Sequence, residues 1–125
     1  MSIIHTENAP VAVGPYSQAI AYGGLIITSG QLPIDPSTGC FPETVEEQTR
    51  QSLLNVKAIL ESAGSGMDKV IKTTVFLSDM NNFAAMNSIY ATFFAEGAYP
   101  ARSAVEVARL PKDALVEIEV IARKD

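Results

Sequence analysis

Between Pro100 and Ala122 the chain reads PARSAVEVARLPKDALVEIEVIA. Arg102 stands just after a proline, at the mouth of an apolar-alternating run, and Glu117 and Glu119 stand in the middle of a second such run. A planar guanidinium can hold a carboxylate through two parallel hydrogen bonds. A carboxylate set among apolar residues is desolvated, so its pKa rises toward the range useful for acid–base work. Together these groups suit a small 2-oxo or 2-imino acid, which needs one group to hold its carboxylate and another to move a proton. Each also has a plainer reading. Arg102 can be an edge-strand cation or a structural ion pair, and the two glutamates can pair with basic residues across the sheet or across an interface.

Other candidates carry weaker signals. Ser29-Gly30 closes an apolar run, where glycine lets a ligand approach the backbone and serine offers a small hydroxyl. Tyr16 follows Gly14-Pro15 at a turn-to-strand junction, where packing is the plainer role. Asn87 falls beside the apolar stripe of a helix, a position usually solvated. Cys40 sits in a turn with no activating neighbour. No GxSxG elbow surrounds Ser29, and the single histidine, His5, lies in an N-terminus expected to be loose, so a Ser/His triad has little support. No metal-ligand spacing occurs.

The elements that must position these residues follow from periodicity. Tyr16–Tyr22 and Leu25–Ser29 read as strands joined by a Gly23-Gly24 turn. Pro33, Pro36, Gly39 and Pro42 mark a long loop. Thr44 with Glu47 forms a capping-box pattern, opening a helix that runs to about Ala63 and stops at Gly64. Val70–Leu77 reads as a central strand and Phe83–Ala95 as a second helix. Ala101–Ala108 and Ala114–Arg123 read as a closing hairpin around Leu110-Pro111-Lys112-Asp113. The order β-β-α-β-α-β-β implies one α+β domain over residues 1–125, a mixed sheet with two helices on one face. The last strand is apolar on both sides, with Val116, Ile118 and Val120 on one and Leu115 and Ile121 on the other. Further copies of the chain are therefore expected to cover the helix-free face.

Composition narrows the function. The chain has 125 residues and a net charge of −5, with nine scattered basic residues, which argues against nucleic acid as a partner. No apolar run approaches the ~20 residues of a membrane span. The N-terminus shows no secretory pattern, and one cysteine permits no internal disulfide, so a cytoplasmic setting is expected.

Four segments, GPYSQAI at 14–20, TSGQLP at 28–33, KTTVFLSDMNNFAAMN at 72–87 and the whole of Pro100–Ala122, resemble the RidA/YjgF family of reactive-intermediate (imine) deaminases. The resemblance runs through nearly the full chain in order. It implies a chorismate-mutase-like α+β domain, assembled as a homotrimer with a central barrel-like core and clefts between subunits. It implies hydrolysis of 2-imino acids, in exchange with enamines released by pyridoxal-phosphate-dependent dehydratases, to 2-oxo acids and ammonia, with no cofactor and no metal. By motif position Arg102 matches the carboxylate-gripping arginine and Glu117 the glutamate beside the attacking water; Glu119 is not the matched residue. Tyr16, Ser29, Gly30 and Asn87 match cleft-lining residues. Many members carry Cys where this chain has Ala104, so thiol chemistry is absent there and pocket shape changes. The segment before Pro100 is also shorter than in some members. Two other readings compete: a non-enzymatic trimer that binds 2-oxo acids or other small carboxylates as a sensor or regulatory partner, and an endoribonuclease or translation inhibitor, names attached to parts of the family. The acidic charge and missing catalytic histidine weigh against the second.

Overall fold

Gly23 and Gly24 both sit at positive φ, +60° and +80°, which gives a two-residue turn the twist that matches the strands it joins. In the computed structural model, which describes all 125 residues, that turn links β2 (Ala19–Tyr22) to β3 (Leu25–Thr28). A short strand at the N-terminus, β1 (Ser2–Ile4), pairs antiparallel with β2. The helices are α1 (Val45–Ser62) and α2 (Phe83–Tyr90), and the remaining strands are β4 (Val70–Leu77), β5 (Ala101–Glu106) and β6 (Val116–Arg123). The six strands form one mixed sheet in the order β1-β2-β3-β6-β4-β5.

The ends of α1 are set by local chemistry. Thr44 Oγ1 accepts from the Glu47 N–H at 3.1 Å and lies 2.9 Å from the Glu47 carboxylate. At the other end Gly64 takes φ +82°, so that Ser65 N–H reaches Leu60 O at 2.9 Å and Gly64 N–H reaches Glu61 O at 3.1 Å. The buried stripe of α1 includes Leu53, Val56, Ile59 and Leu60. With Met86 and Tyr90 of α2 it covers Ile26, Val75, Leu77, Val116, Ile118 and Val120 of the sheet. Two polar side chains of α1 make specific attachments. Gln48 accepts from Leu115 N–H at 2.8 Å and donates to Pro42 O, while Asn55 donates to Leu32 O and Ile34 O. Gln51 in turn donates to Asn55 at 2.9 Å. These bonds tie the proline-rich loop and the entry to β6 onto the helix.

Both helices lie on one face, as the alternation requires. The opposite face carries Leu25, Ile27, Phe76, Val105, Glu117, Glu119 and Ile121 with no layer over it; Ile27 remains 45% exposed and Val105 43%.

The expected closing hairpin does not form. β5 and β6 never pair; β4 lies between them, parallel to β5 and antiparallel to β6. The two runs alternate as hairpin strands would, but alternation reports only which side of a sheet a residue faces, not which strand lies beside it. The N-terminus is not loose, because Gln18, buried, donates to Thr6 O and Pro10 O and accepts from Thr6 N–H. The second helix ends at Tyr90 and tightens into a 3-10 turn over Ala91–Phe93 instead of running to Ala95. No helix is long and apolar enough to cross a membrane.

Candidate active site

The candidate residues separate into two groups on opposite faces of the sheet. Arg102 is opposite Thr73 in the parallel β4–β5 register, and Thr73 is buried beneath the helices. Its guanidinium therefore points toward α2. There Phe83, Asn87 and Tyr90, spaced four and three residues apart, share one helical face. The Arg102 Cζ lies 4.7 Å from the Tyr90 ring centre and 5.4 Å from that of Phe83. Its Nη1 donates to Asn87 Oδ1 at 2.5 Å. No carboxylate lies within ion-pair distance; the two ion pairs of the chain are Arg109–Asp113 and Arg123–Asp125. The guanidinium opens into a cleft of about 470 Å³ lined by Asn87, Tyr90, Ala91, Tyr99, Pro100 and Arg102. Ala104 shares this face and packs on the core. Burial pushes the Tyr90 phenol above its ordinary pKa, against the opposing pull of its Thr73 hydrogen bond and the Arg102 charge, so the phenol is neutral at pH 7.

Glu117 belongs to the other face. It is opposite Phe76 in the β4–β6 register, while Glu119 is opposite Thr74. Its shape depends on an irregularity in β3. Ile27 pairs with Ile121, but the next pairing is Gln31 with Ile118, so β3 holds one residue more than β6 between the two points. The extra residue is accommodated at Thr28–Gly30, where the Thr28 hydroxyl accepts from Val120 N–H at 3.0 Å in place of a backbone carbonyl. Such a bulge re-aims the strand next to it. Here it brings the Gly30 backbone against Glu117: a Cβ on Gly30 would stand 2.6 Å from Glu117 Oε2 and 2.9 Å from its carboxyl carbon. Gly30 is required by that approach and not by its own backbone angle. Ser29 Oγ donates to Ser17 O at 2.5 Å, which holds the Tyr16-Ser17 segment beside the bulge; Tyr16 itself is exposed. Glu117 is half-buried and has no cationic partner. Desolvation, and secondarily the Glu119 charge, pushes its carboxyl above the ordinary value.

Asn87 and Ala104 thus accompany Arg102, and Ser29 and Gly30 accompany Glu117, with Tyr16 on the strand entry next to Ser29. One chain does not bring the two groups together. They are two strands apart, roughly 10 Å apart along β4, and aimed at opposite faces.

Residues 6–124 match the family described as Endoribonuclease L-PSP. A Salmonella typhimurium protein named 2-iminobutanoate/2-iminopropanoate deaminase is 57% identical over 121 residues, 95% of this chain and 94% of that one. The chain belongs to this family, the RidA/YjgF family. A Pyrococcus horikoshii relative, called a RutC family protein, is also 57% identical, over 98% of both chains. Among solved structures, the YjgF gene product of E. coli superposes with a TM-score of 0.96 at 55% identity over the full length of both chains. E. coli TdcF with bound serine gives 0.94 at 48%, again over both full chains. Within this RidA/YjgF chain, three residues at the site were not singled out by sequence pattern: Phe83, Tyr90 and Thr73. Periodicity assigns Tyr90 to an apolar stripe, and the β-branched Thr73 reads as strand filler. The available signal was the spacing of Phe83, Asn87 and Tyr90, which puts an amide and two rings on one helical face.

Proposed function

We propose that this protein hydrolyses small 2-imino acids, in exchange with their enamine tautomers, to 2-oxo acids and ammonia. The observation that carries this reading is an unpaired guanidinium in a cleft together with a half-buried carboxylate that has no cationic partner. The relatives named as 2-iminobutanoate/2-iminopropanoate deaminases support it, at 57% identity over 95% of the chain.

The chemistry needs little beyond position. A protonated imine, R–C(=NH2+)–COO−, is already electrophilic. Arg102 holds the carboxylate at two points and Glu117 takes a proton from water as its oxygen bonds to C2. The resulting carbinolamine receives that proton on nitrogen and expels ammonia as its hydroxyl oxygen becomes the ketone; Glu117 takes the hydroxyl proton, which ends on the departing ammonia as ammonium, leaving the 2-oxo acid. Water supplies the oxygen and no electrons change hands.

For both groups to meet one substrate, the Arg102 face of one copy must abut the Glu117 face of another. Because the two surfaces differ, the contact is head-to-tail, and it closes into a ring when the rotation allows. A homotrimer whose helix-free faces form a barrel-like core satisfies this and covers Ile27, Val105 and Ile121. Tyr16, Ser29 and Gly30 then line the cleft from the Glu117 side, and Asn87 and Ala104 from the Arg102 side. The exposed free thiol of Cys40 fits a reducing, cytoplasmic setting. Endoribonuclease activity gains no support from the chain's net charge of −5 or from its single histidine, which lies next to the N-terminal strand.

The test couples the protein to a threonine dehydratase and follows 2-oxobutanoate release with semicarbazide present to trap the imine. Wild type should suppress the trapped adduct and Arg102→Ala should not. A wild type without effect would remove the deaminase reading and leave a carboxylate-binding trimer.

A further inference from the structure

We propose that Tyr90 and Phe83 are positioning residues for substrate binding: their ring faces hold the Arg102 guanidinium in place without neutralising it, so that the full cationic charge stays available to the incoming carboxylate. The proposal rests on the deaminase reading for its substrate but on geometry of its own.

An arginine that must grip an anion has a conflicting requirement. It needs to be held still, yet the strongest anchor, a carboxylate, would cancel its charge and compete with the substrate. The structure meets this with neutral anchors. The Tyr90 and Phe83 ring centres lie 4.7 Å and 5.4 Å from Arg102 Cζ, inside the roughly 6 Å range in which the negative ring face attracts a cation. Asn87 Oδ1, an uncharged acceptor, takes one N–H of Nη1. A guanidinium has five N–H donors in a rigid fork, so donors remain for a bidentate carboxylate.

Tyr90 is itself locked. Its hydroxyl is 2.8 Å from Thr73 Oγ1, its ring centre is 4.9 Å from that of Phe94, and it is buried. Thr73 is also the residue opposite Arg102 in the β4–β5 register. One strand pairing therefore sets both the arginine and the hydroxyl that anchors the ring beneath it. The substrate carboxylate keeps its charge through the reaction, so a ring that holds Arg102 acts chiefly on binding, and its loss should appear mainly in KM.

The experiment measures kcat and KM in the coupled assay, calorimetric Kd for 2-oxobutanoate, and Tm. The variants are Tyr90→Phe, Tyr90→Leu, Phe83→Leu and Asn87→Asp. Tyr90→Phe keeps the ring and should leave KM within about twofold. Tyr90→Leu should raise KM and Kd about tenfold, with kcat within about twofold, as a desolvated cation–π contact implies. Phe83→Leu should raise both about threefold, in keeping with its longer distance. Asn87→Asp holds Arg102 more firmly but neutralises it; KM should rise about tenfold or more while Tm holds or increases. A folded Tyr90→Leu with wild-type KM, a Tyr90→Phe as impaired as Tyr90→Leu, or an Asn87→Asp that binds like wild type would each overturn the proposal. If Tyr90→Leu does not fold, Phe83→Leu decides: a raised KM supports the ring cradle and an unchanged one overturns it. A wild type without turnover would instead sink the deaminase reading, and the Kd series would still test the cradle.

Discussion

Glu117 and Gly30 touch more closely than any substituted residue would allow, and that contact makes the site sensitive to a single methyl group. A Cβ at Gly30 would meet the far end of a side chain and not backbone, so Gly30→Ala should move the Glu117 carboxylate and leave the fold standing. The expected result is a loss of under ~1 kcal/mol in urea unfolding with a fall of about tenfold or more in kcat. Wild-type kcat in a stable Gly30→Ala would separate Glu117 from the chemistry. The raised pKa of Glu117 sets the sign of the pH response. As general base it must be ionised, so activity falls as pH drops through its folded-state value, which lies above the ordinary 4.5. Glu119 contributes to that elevation, so Glu119→Gln should shift the acidic limb of kcat/KM to lower pH and keep the plateau. Glu117→Gln should lower the plateau and remove the limb. An unmoved limb in Glu119→Gln would show the two carboxylates to be uncoupled.

At the scale of elements, the site depends on how three of them are pinned. The α1 attachments through Gln48 and Asn55 fix where β6 begins and where the loop after β3 runs, and hence where Glu117 and the bulge at Thr28–Gly30 lie. The cap that starts α1 is local, and Thr44→Ala should cost ~1 kcal/mol in denaturant unfolding without altering KM. A changed KM would tie the cap to the site through the helix. The capped helix, the glycine turn between β2 and β3 and the central strand β4 were legible in the residues, because each is decided by neighbours within a few positions. The bulge was not. It arises from a mismatch of one residue between β3 and β6, strands separated by nearly the whole chain, and no local pattern at Ser29-Gly30 encodes the partner's count. The false hairpin of β5 and β6 has the same cause. Both runs alternate correctly, but β4 takes the place between them, and α2 supplies the crossover that a parallel β4–β5 pair needs.

At the scale of the molecule, the placement of Arg102 and Glu117 on opposite faces leads to a test that single variants cannot give. Arg102→Ala and Glu117→Gln, each strongly impaired alone at substrate below KM, should regain activity when mixed and reassembled. With random subunits about one quarter of the clefts would carry both native groups, and the expected rate is about a quarter of wild type. No recovery in a verified mixed assembly would place both groups in one chain's cleft. Sedimentation should report a species three times the 13.4 kDa chain; a monomer would remove the assembled site.

The sequence alone determined the candidate residue types, the boundaries of α1 set by its cap and Gly64, the two-sided apolar character of the last strand and the family. All of these are written in runs of neighbouring residues. Only the tertiary structure decided that β4 separates β5 from β6, that Arg102 and Glu117 point to opposite sides of the sheet, and that Tyr90, Phe83 and Asn87 close around the guanidinium. Those outcomes depend on strand order and register. They are set by which distant segments bury each other's apolar faces, and periodicity within any one segment is blind to them.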